Sequence, residues 1–297
     1  MLQKTISIYR NFRNSRLVAP ILSVISFIYI VLLLLYSFPA LKAVDWNGIW
    51  KTIINCFFLI GFSLFTQFVC WSLFMEKGFD NILLHARVYF RTLIFRQLPG
   101  GIWHYFGRIQ LYQNQIDKIE KKVAIAALSE WIYLLTTGFA IYIYTINWRF
   151  TILFVIASII LLHVFVRSKS NKWSIKQWVI SVLCYLLYLI SWIIGATVLL
   201  LLTHLFLHNE SIKFLEVLKI WSISNNVSLL FYFLPSGLFF REFGLVIMLG
   251  KVMSTQSIIG VALLLRMLFI FSDVVWGLIN NFIALQFNKS TIKITAN

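Results

Sequence analysis

Long apolar stretches recur throughout this 297-residue chain, and they restrict it to one class of structure. A helix needs roughly 20 apolar residues to cross the hydrocarbon core of a bilayer. Hydrophobic residues make up 60% of the chain and charged residues only 12%. The sequence therefore predicts an all-α integral membrane protein that forms one polytopic domain over residues 1–297. Six full transmembrane helices are predicted, at about 18–40, 50–75, 123–146, 149–166, 177–207 and 257–287.

A helix-breaking motif occurs twice, as Leu-Pro-Gly-Gly-Ile-Trp at 98–103 and as Leu-Pro-Ser-Gly-Leu-Phe at 234–239. Each copy follows an apolar stretch, at about 83–98 and 212–234, and precedes a shorter one. An ionisable residue lies 31 positions after each proline, Glu130 after Pro99 and Arg266 after Pro235. This duplication predicts two repeat units, at about 50–146 and 177–287.

Each motif is expected to turn the chain inside the membrane. Proline removes a backbone donor and clashes with the preceding helical turn, while glycine accepts a positive φ without strain. Irregular backbone at membrane depth is tolerated only where protein or a wet cavity surrounds it. We therefore predict two re-entrant helical hairpins in addition to the six spans. A plain turn between spans is the alternative interpretation of each motif.

The distribution of Lys and Arg predicts the orientation. If only the six long segments cross, one side of the membrane carries 18 of the 26 Lys and Arg residues, the other side carries seven, and Arg266 lies within a span. The positive-inside rule then puts both termini in the cytoplasm. The two hairpins enter from opposite faces, so the repeat is inverted. The net charge of +16 is best explained by juxtamembrane contact with anionic lipid headgroups, and nucleic acid is not predicted as a partner.

A binding site for an anion is predicted where the two hairpins meet. Helix N-termini that begin after the prolines offer free N–H groups and a favourable dipole. An arginine inside a span is costly in lipid, so Arg266 should face a partner, and we favour Glu130 for that role. Buried ion pairs that fix packing, helix capping and interfacial placement are the structural alternatives. The predicted substrate-binding residues are Pro99, Gly100, Gly101, Trp103, His104, Arg108, Glu130, Pro235, Gly237, Arg241, Glu242, Arg266 and Asp273.

Neither a metal nor another cofactor is predicted. Cys56, Cys70 and Cys184 lie in apolar spans and lack ligand spacing. His204 and His208 are four residues apart, but interfacial histidines at a helix end are far commoner than such a metal site. The sequence therefore offers no metal-dependent chemistry.

Two motifs and a set of charged residues recur here in a characteristic order: Leu-Pro-Gly-Gly, Arg108 and Glu130, then Leu-Pro-Ser-Gly, Arg241-Glu242, Arg266 and Asp273. In this order and spacing, the chain resembles the membrane domain of the lysylphosphatidylglycerol synthase and flippase family (multiple peptide resistance factor). The resemblance covers about 50–287, and Ser236 stands where the family has a glycine. It implies an eight-segment domain with opposed hairpins that moves lipids between leaflets. The Pro-Gly turns and the charged residues would line the lipid path. The family's aminoacyl-transferase domain is absent from this sequence, so the chain looks like a stand-alone member linked with envelope glycan synthesis.

The function that these observations predict is lipid translocation in a bacterial or archaeal cytoplasmic membrane. The substrate would be an anionic phospholipid or a lipid-linked glycan intermediate, and envelope-synthesis proteins are candidate partners. Two alternatives stay open. One is a membrane glycosyl- or phosphotransferase that uses a polyprenyl-phosphate lipid, although the chain has no paired aspartates in a loop for a divalent metal. The other is a non-transporting scaffold for envelope assembly. A transporter is favoured over an enzyme.

Overall fold

The computed structural model describes Pro39 and residues 46–75, 81–97, 103–113, 116, 119–167, 175–207, 212–231 and 237–294. These residues form helices and no strands. The helices are α1 Trp46–Phe74, α2 Ile82–Arg91, a 3-10 helix Leu93–Gln97, α3 Trp103–Tyr112, α4 Ile119–Ile146, α5 Trp148–Arg167, α6 Ile175–His204, α7 Phe214–Leu230, α8 Gly237–Leu249 and α9 Thr255–Ile294. The predicted all-α class is confirmed for this part of the chain.

Four helices of the described chain are long and apolar enough to cross a membrane. Their apolar segments are Ile49–Phe74, Ile119–Ile146, Gln177–His204 and Thr255–Asn280. Helices suit this environment because they satisfy every backbone N–H and C=O internally. These segments match four of the six predicted spans. The predicted span at 149–166 is helical as α5, and the predicted span at 18–40 lies outside the described residues.

Short helices flank both Pro-Gly motifs, as the helix-breaking pattern predicts. The first motif lies between the 3-10 helix and α3, and the second lies between α7 and α8. Thr92 ends α2, and its hydroxyl donates to the carbonyl oxygens of Val88 and Tyr89 at 2.9 Å each. Residues 98–102 and 232–236, which include Pro99, Gly100, Gly101 and Pro235, lie outside the described residues, so the turns themselves stay predictions.

Long helices of each predicted repeat unit pack against helices of the other unit. Helix α4, from the first unit, packs against α7 of the second, while α9, from the second unit, packs against α2 and the 3-10 helix of the first. Helices α1 and α6, which begin the two units, pack against each other. As a result, α9 packs against the 3-10 helix that precedes the first motif, and α4 packs against α3, which follows it. The charged residues lie at these two contacts.

The outer face of α1 is apolar and exposed. Trp50, Ile54, Phe58, Phe62 and Phe65 follow one another at spacings of three or four residues, and each is more than half exposed. Such spacing places them on one side of the helix. Large exposed aromatic and aliphatic side chains on one face of a membrane-length helix are typical of lipid contact.

Candidate functional site

The first charged pair joins α3 to α4. Arg108 Nη1 lies 3.2 Å from Glu130 Oε2, and the Tyr105 hydroxyl donates to the same oxygen at 3.0 Å. The side chains of Arg108 and Glu130 are 1% and 5% exposed, so the pair is sealed from solvent. Arg108 Nε also donates to the hydroxyl of Thr92 at 3.4 Å. Each charge is thus neutralised locally, which a charge buried in apolar surroundings requires.

Three aromatic rings enclose the Arg108 guanidinium. Its central carbon lies 3.9 Å from the ring centre of Trp71, 4.3 Å from that of Tyr89 and 5.1 Å from that of Tyr105. These distances fall within the range of cation–π attraction. Trp71 Nε1 in turn donates to the Tyr112 hydroxyl at 3.2 Å, which fixes the indole. The cage explains how the fold tolerates a fully buried arginine between short helices.

The expected pairing of Glu130 with Arg266 is wrong. Glu130 lies on α4 and its ion-pair partner is Arg108, 22 residues earlier in the chain. Glu130 and Arg266 hold equivalent positions in the two repeat units, which favoured that pairing, but α3, the helix that precedes α4, brings Arg108 to the Glu130 carboxylate. Arg266 is buried on α9, seven residues before Asp273.

The second charged pair joins the 3-10 helix to α9. Arg96 Nη2 lies 2.7 Å from Asp273 Oδ1, and Arg96 Nε donates to Oδ2 at 3.2 Å. This two-point geometry is the strongest that a guanidinium and a carboxylate form. Asp273 is fully buried, whereas the Arg96 side chain is 24% exposed. The Arg96 side chain is therefore more exposed than that of Arg108.

A chain of hydrogen bonds continues from Arg96 into α1 and α6. Arg96 Nη1 donates to Gln67 Oε1 at 3.5 Å, and Gln67 Nε2 donates to the Ser191 hydroxyl at 2.9 Å. The hydroxyls of Ser191 and Ser63 lie 2.6 Å apart. The network thus links α1, α6, α9 and the 3-10 helix, which includes the first and last long helices of the described chain. Sequence analysis missed Gln67, Ser63 and Ser191, although polar residues within membrane-length spans were a signal that could have found them.

Helix α8, which follows the second motif, holds its two charged side chains close together. Arg241 and Glu242 are neighbours on α8 and their side chains lie 3.3 Å apart. The Arg241 guanidinium also lies 5.9 Å from the ring centre of Phe269 on α9. Gly237 begins α8 directly after the second motif. The structure thus places this predicted pair on the motif-flanking helix that packs against α9.

The two aromatic residues predicted at the first motif lie at the start of α3. His104 is buried, and its ring centre is 3.8 Å from that of Tyr105. Trp103 is half-buried and its ring centre lies 6.3 Å from that of Phe106. His104 therefore contacts Tyr105 of the Arg108 cage, while Trp103 contacts Phe106 of its own helix.

No group of three or more His, Cys, Asp or Glu side chains is arranged to hold a metal ion within the ranges that the structure describes. His208, the second member of the histidine pair, lies outside those ranges. The charged side chains described above form ion pairs and hydrogen bonds with one another.

In comparisons with known proteins, no family model and no curated protein matches this chain. The resemblance to the lysylphosphatidylglycerol synthase and flippase family rests on the motifs alone.

Proposed function

We propose that this protein is a lipid translocase that moves an anionic phospholipid or lipid-linked glycan intermediate between the leaflets of a bacterial or archaeal cytoplasmic membrane. The observation that carries the proposal is the Arg96–Asp273 pair. Arg96 lies directly before the first Pro-Gly motif, its side chain is 24% exposed, and the pair links a short helix to a membrane-length helix. A charged pair inside such a bundle is costly, which makes a role in function the default explanation.

Arg96 has the chemistry to bind a lipid phosphate. A guanidinium binds phosphate in the same two-point geometry as carboxylate, so a phosphate oxygen pair can take the place of the Asp273 oxygens. Arg96 is 24% exposed and holds Asp273 at 2.7 Å and 3.2 Å. An arriving headgroup would displace the carboxylate, and the returning carboxylate would release the headgroup. Exchange between two partners of equal charge avoids leaving the cation alone at membrane depth.

Helix ends support an anion site at the same place. Helices α3 and α8 begin at Trp103 and Gly237, directly after the two motifs. The N-terminus of a helix offers N–H groups and a positive dipole end to an anion. If the two hairpins enter the membrane from opposite faces, as the charge distribution predicts, these ends would face one cavity near the midplane. Acyl or polyprenyl tails would stay in lipid while the headgroup passes.

The Arg108–Glu130 pair has a different role in this proposal. Its 1% exposure and its aromatic cage leave no route for a headgroup in this conformation. We assign it to holding α3 against α4, so that the first motif has a fixed position. Arg241, Glu242 and Arg266 remain candidates for the path on the side of α8 and α9.

Leaflet exchange in liposomes tests the proposal. Purified protein is reconstituted into liposomes with fluorescent phosphatidylglycerol. Dithionite quenches the label in the outer leaflet, and the fluorescence that remains protected is measured over time. Arg96→Ala should slow exchange by about tenfold or more, corresponding to ~1.4 kcal/mol of lost interaction. Arg91→Ala is the matched control, because Arg91 is an exposed arginine at the end of α2. Zwitterionic phosphatidylcholine in place of phosphatidylglycerol tests the preference for an anion.

The rivals predict other outcomes. A transferase would convert a polyprenyl-phosphate substrate without any movement of the label between leaflets. A scaffold would show neither activity, and Arg96→Ala would leave its cellular function intact. Equal exchange by wild type and Arg96→Ala would reject the proposed site.

A further inference from the structure

Buried polar groups lie in a row along one face of α9, and we call this row the file. Ser272, Trp276 and Asn280 are spaced four residues apart, and Asp273 lies beside Ser272. Residues at this spacing share one face of a helix. From Ser272 to Asn280 the file runs along the helix for about 12 Å, a large part of the ~30 Å hydrocarbon core.

The polar atoms of this file are not satisfied in this conformation. Ser272 Oγ, Trp276 Nε1 and Asn280 Oδ1 are buried and have no hydrogen-bond partner among the residues that the structure describes. Buried polar groups are paired in the great majority of cases, so three in succession on one face need an explanation. Lipid contact is not the explanation, because the exposed side of the same helix is apolar, with Phe271, Leu278 and Phe282.

Helix α4 shows that such groups are easily satisfied. The hydroxyls of Ser129, Thr136 and Thr137 donate to carbonyl oxygens one turn earlier on their own helix, at 2.7 to 2.8 Å. A serine on α9 has the same option. The Ser272 hydroxyl does not take it, although the residue is fully buried. The polar face of α9 is therefore distinct from that of an ordinary packed helix.

The contacts that cover this face of α9 are made by a flat aromatic ring and by glycines. The Trp276 indole lies on Gly61 of α1, where an added Cβ would come within 2.5 Å of the ring, and it stacks on Phe57 at a ring distance of 5.6 Å. Gly277 faces the Phe90 carbonyl oxygen of α2, 3.0 Å from where its Cβ would lie. Small residues let helices approach closely without interlocking side chains. Such an interface can separate without unthreading side chains.

We propose that the Ser272–Trp276–Asn280 face of α9 opens to water in a second conformation and then forms the surface that the polar headgroup contacts. Water or headgroup oxygens would satisfy the three groups there. Asp273 lies on the same stretch of helix, so opening would also uncover its pair with Arg96. The headgroup part of this inference rests on the proposed function. The opening to water does not.

Thiol accessibility tests the opening directly. Cys56, Cys70 and Cys184 are buried and are first replaced by alanine. Ser272→Cys and Asn280→Cys are then exposed, in proteoliposomes, to a charged methanethiosulfonate present on both sides. The matched controls are Phe271→Cys and Leu278→Cys, which lie on the exposed, lipid side of α9 one residue before Ser272 and two residues before Asn280. Ser254→Cys, in an exposed position before α9, confirms that the reagent is active.

We expect Ser272→Cys and Asn280→Cys to react faster than their lipid-side neighbours by about tenfold or more. Dibutyryl phosphatidylglycerol should slow the reaction at position 272, and the matching phosphatidylcholine should not. Equal reaction rates at polar-face and lipid-side positions would overturn the inference, even if lipid exchange is measured. Conversely, fast reaction at 272 and 280 without lipid exchange would support the opening and reject the translocase.

Discussion

Helices α4 and α9 occupy equivalent places at the ends of the two predicted repeat units, yet they treat their acidic residues differently. Glu130 on α4 meets an arginine that is 1% exposed and enclosed by three aromatic rings. Asp273 on α9 meets an arginine that is 24% exposed, on a face with unsatisfied polar atoms. The hydroxyls of Ser129 and Thr136 on α4 are satisfied within the helix, and the Ser272 hydroxyl of α9 is not. The first arrangement suits a fixed support and the second suits a part that exchanges partners.

The largest effect should come from breaking the enclosed pair. Arg108→Ala leaves the Glu130 carboxylate buried without its cation, which costs ~3–5 kcal/mol of stability. We expect little monodisperse protein on size exclusion and a large drop in melting temperature in detergent. The paired change Arg108→Met with Glu130→Leu should recover most of the folded protein, because it removes both buried charges. A stable, monodisperse Arg108→Ala variant would show that this pair does not fix the fold.

The long helices were predictable because the length of an apolar segment is a property of the sequence alone. Residues 50–75, 123–146, 177–207 and 257–287 all coincide with long helices, α1, α4, α6 and α9. The short helices beside the motifs were predictable because proline and glycine end a helix through local geometry. The membrane depth of those short helices depends on the bilayer, so the re-entrant hairpins remain part of the proposal.

The pairing of charges was much harder to predict. Arg96 and Asp273 are 177 residues apart, and only the packing of α9 against the 3-10 helix brings them together. Glu130 was assigned to Arg266 because the repeat makes them equivalent, but Arg108 lies nearer along the chain and its helix, α3, packs against α4. The aromatic cage could not be foreseen either, since Trp71, Tyr89 and Tyr105 come from three different helices.

Breaking the second pair should affect transport more than folding. Asp273→Asn keeps an acceptor for Arg96 but removes the negative charge that would recapture it from a headgroup. We expect exchange of fluorescent phosphatidylglycerol to fall about tenfold. The stability loss should be ~1–3 kcal/mol, less than for Arg108→Ala. The melting temperature and the rate of leaflet exchange, measured for both variants, show whether the two ion pairs have different roles. If Asp273→Asn melts as low as Arg108→Ala, the two pairs are equivalent supports.

Two glycines allow a matched test of the helix contacts. Gly61→Ala drives a Cβ into Trp276 of α9, and Gly138→Ala on α4 drives one into Trp192, each within 2.5 Å. Both should destabilise the protein by ~1–3 kcal/mol through overpacking. Only Gly61→Ala should raise thiol reactivity at a cysteine in position 272, because only that contact closes the polar face of α9. An equal rise in both variants would mean that general loosening is the cause.

The smallest effect should come from the hydrogen-bond chain beside Arg96. Gln67→Leu removes the bonds to Ser191 at 2.9 Å and to Arg96 at 3.5 Å but leaves the Ser63–Ser191 contact at 2.6 Å. The expected loss of stability is ~0.5–1.5 kcal/mol. A double-mutant cycle with Ser191→Ala should give a coupling of ~0.5 kcal/mol or more, since the two side chains bond each other. Thr136→Val on α4 is the control, because its hydroxyl bonds only within its own helix.

Exchange of labelled lipid by Gln67→Leu should slow only a few-fold, because Gln67 orients Arg96 and does not replace its charge. A transport loss as large as that of Arg96→Ala would instead place Gln67 in direct contact with the headgroup.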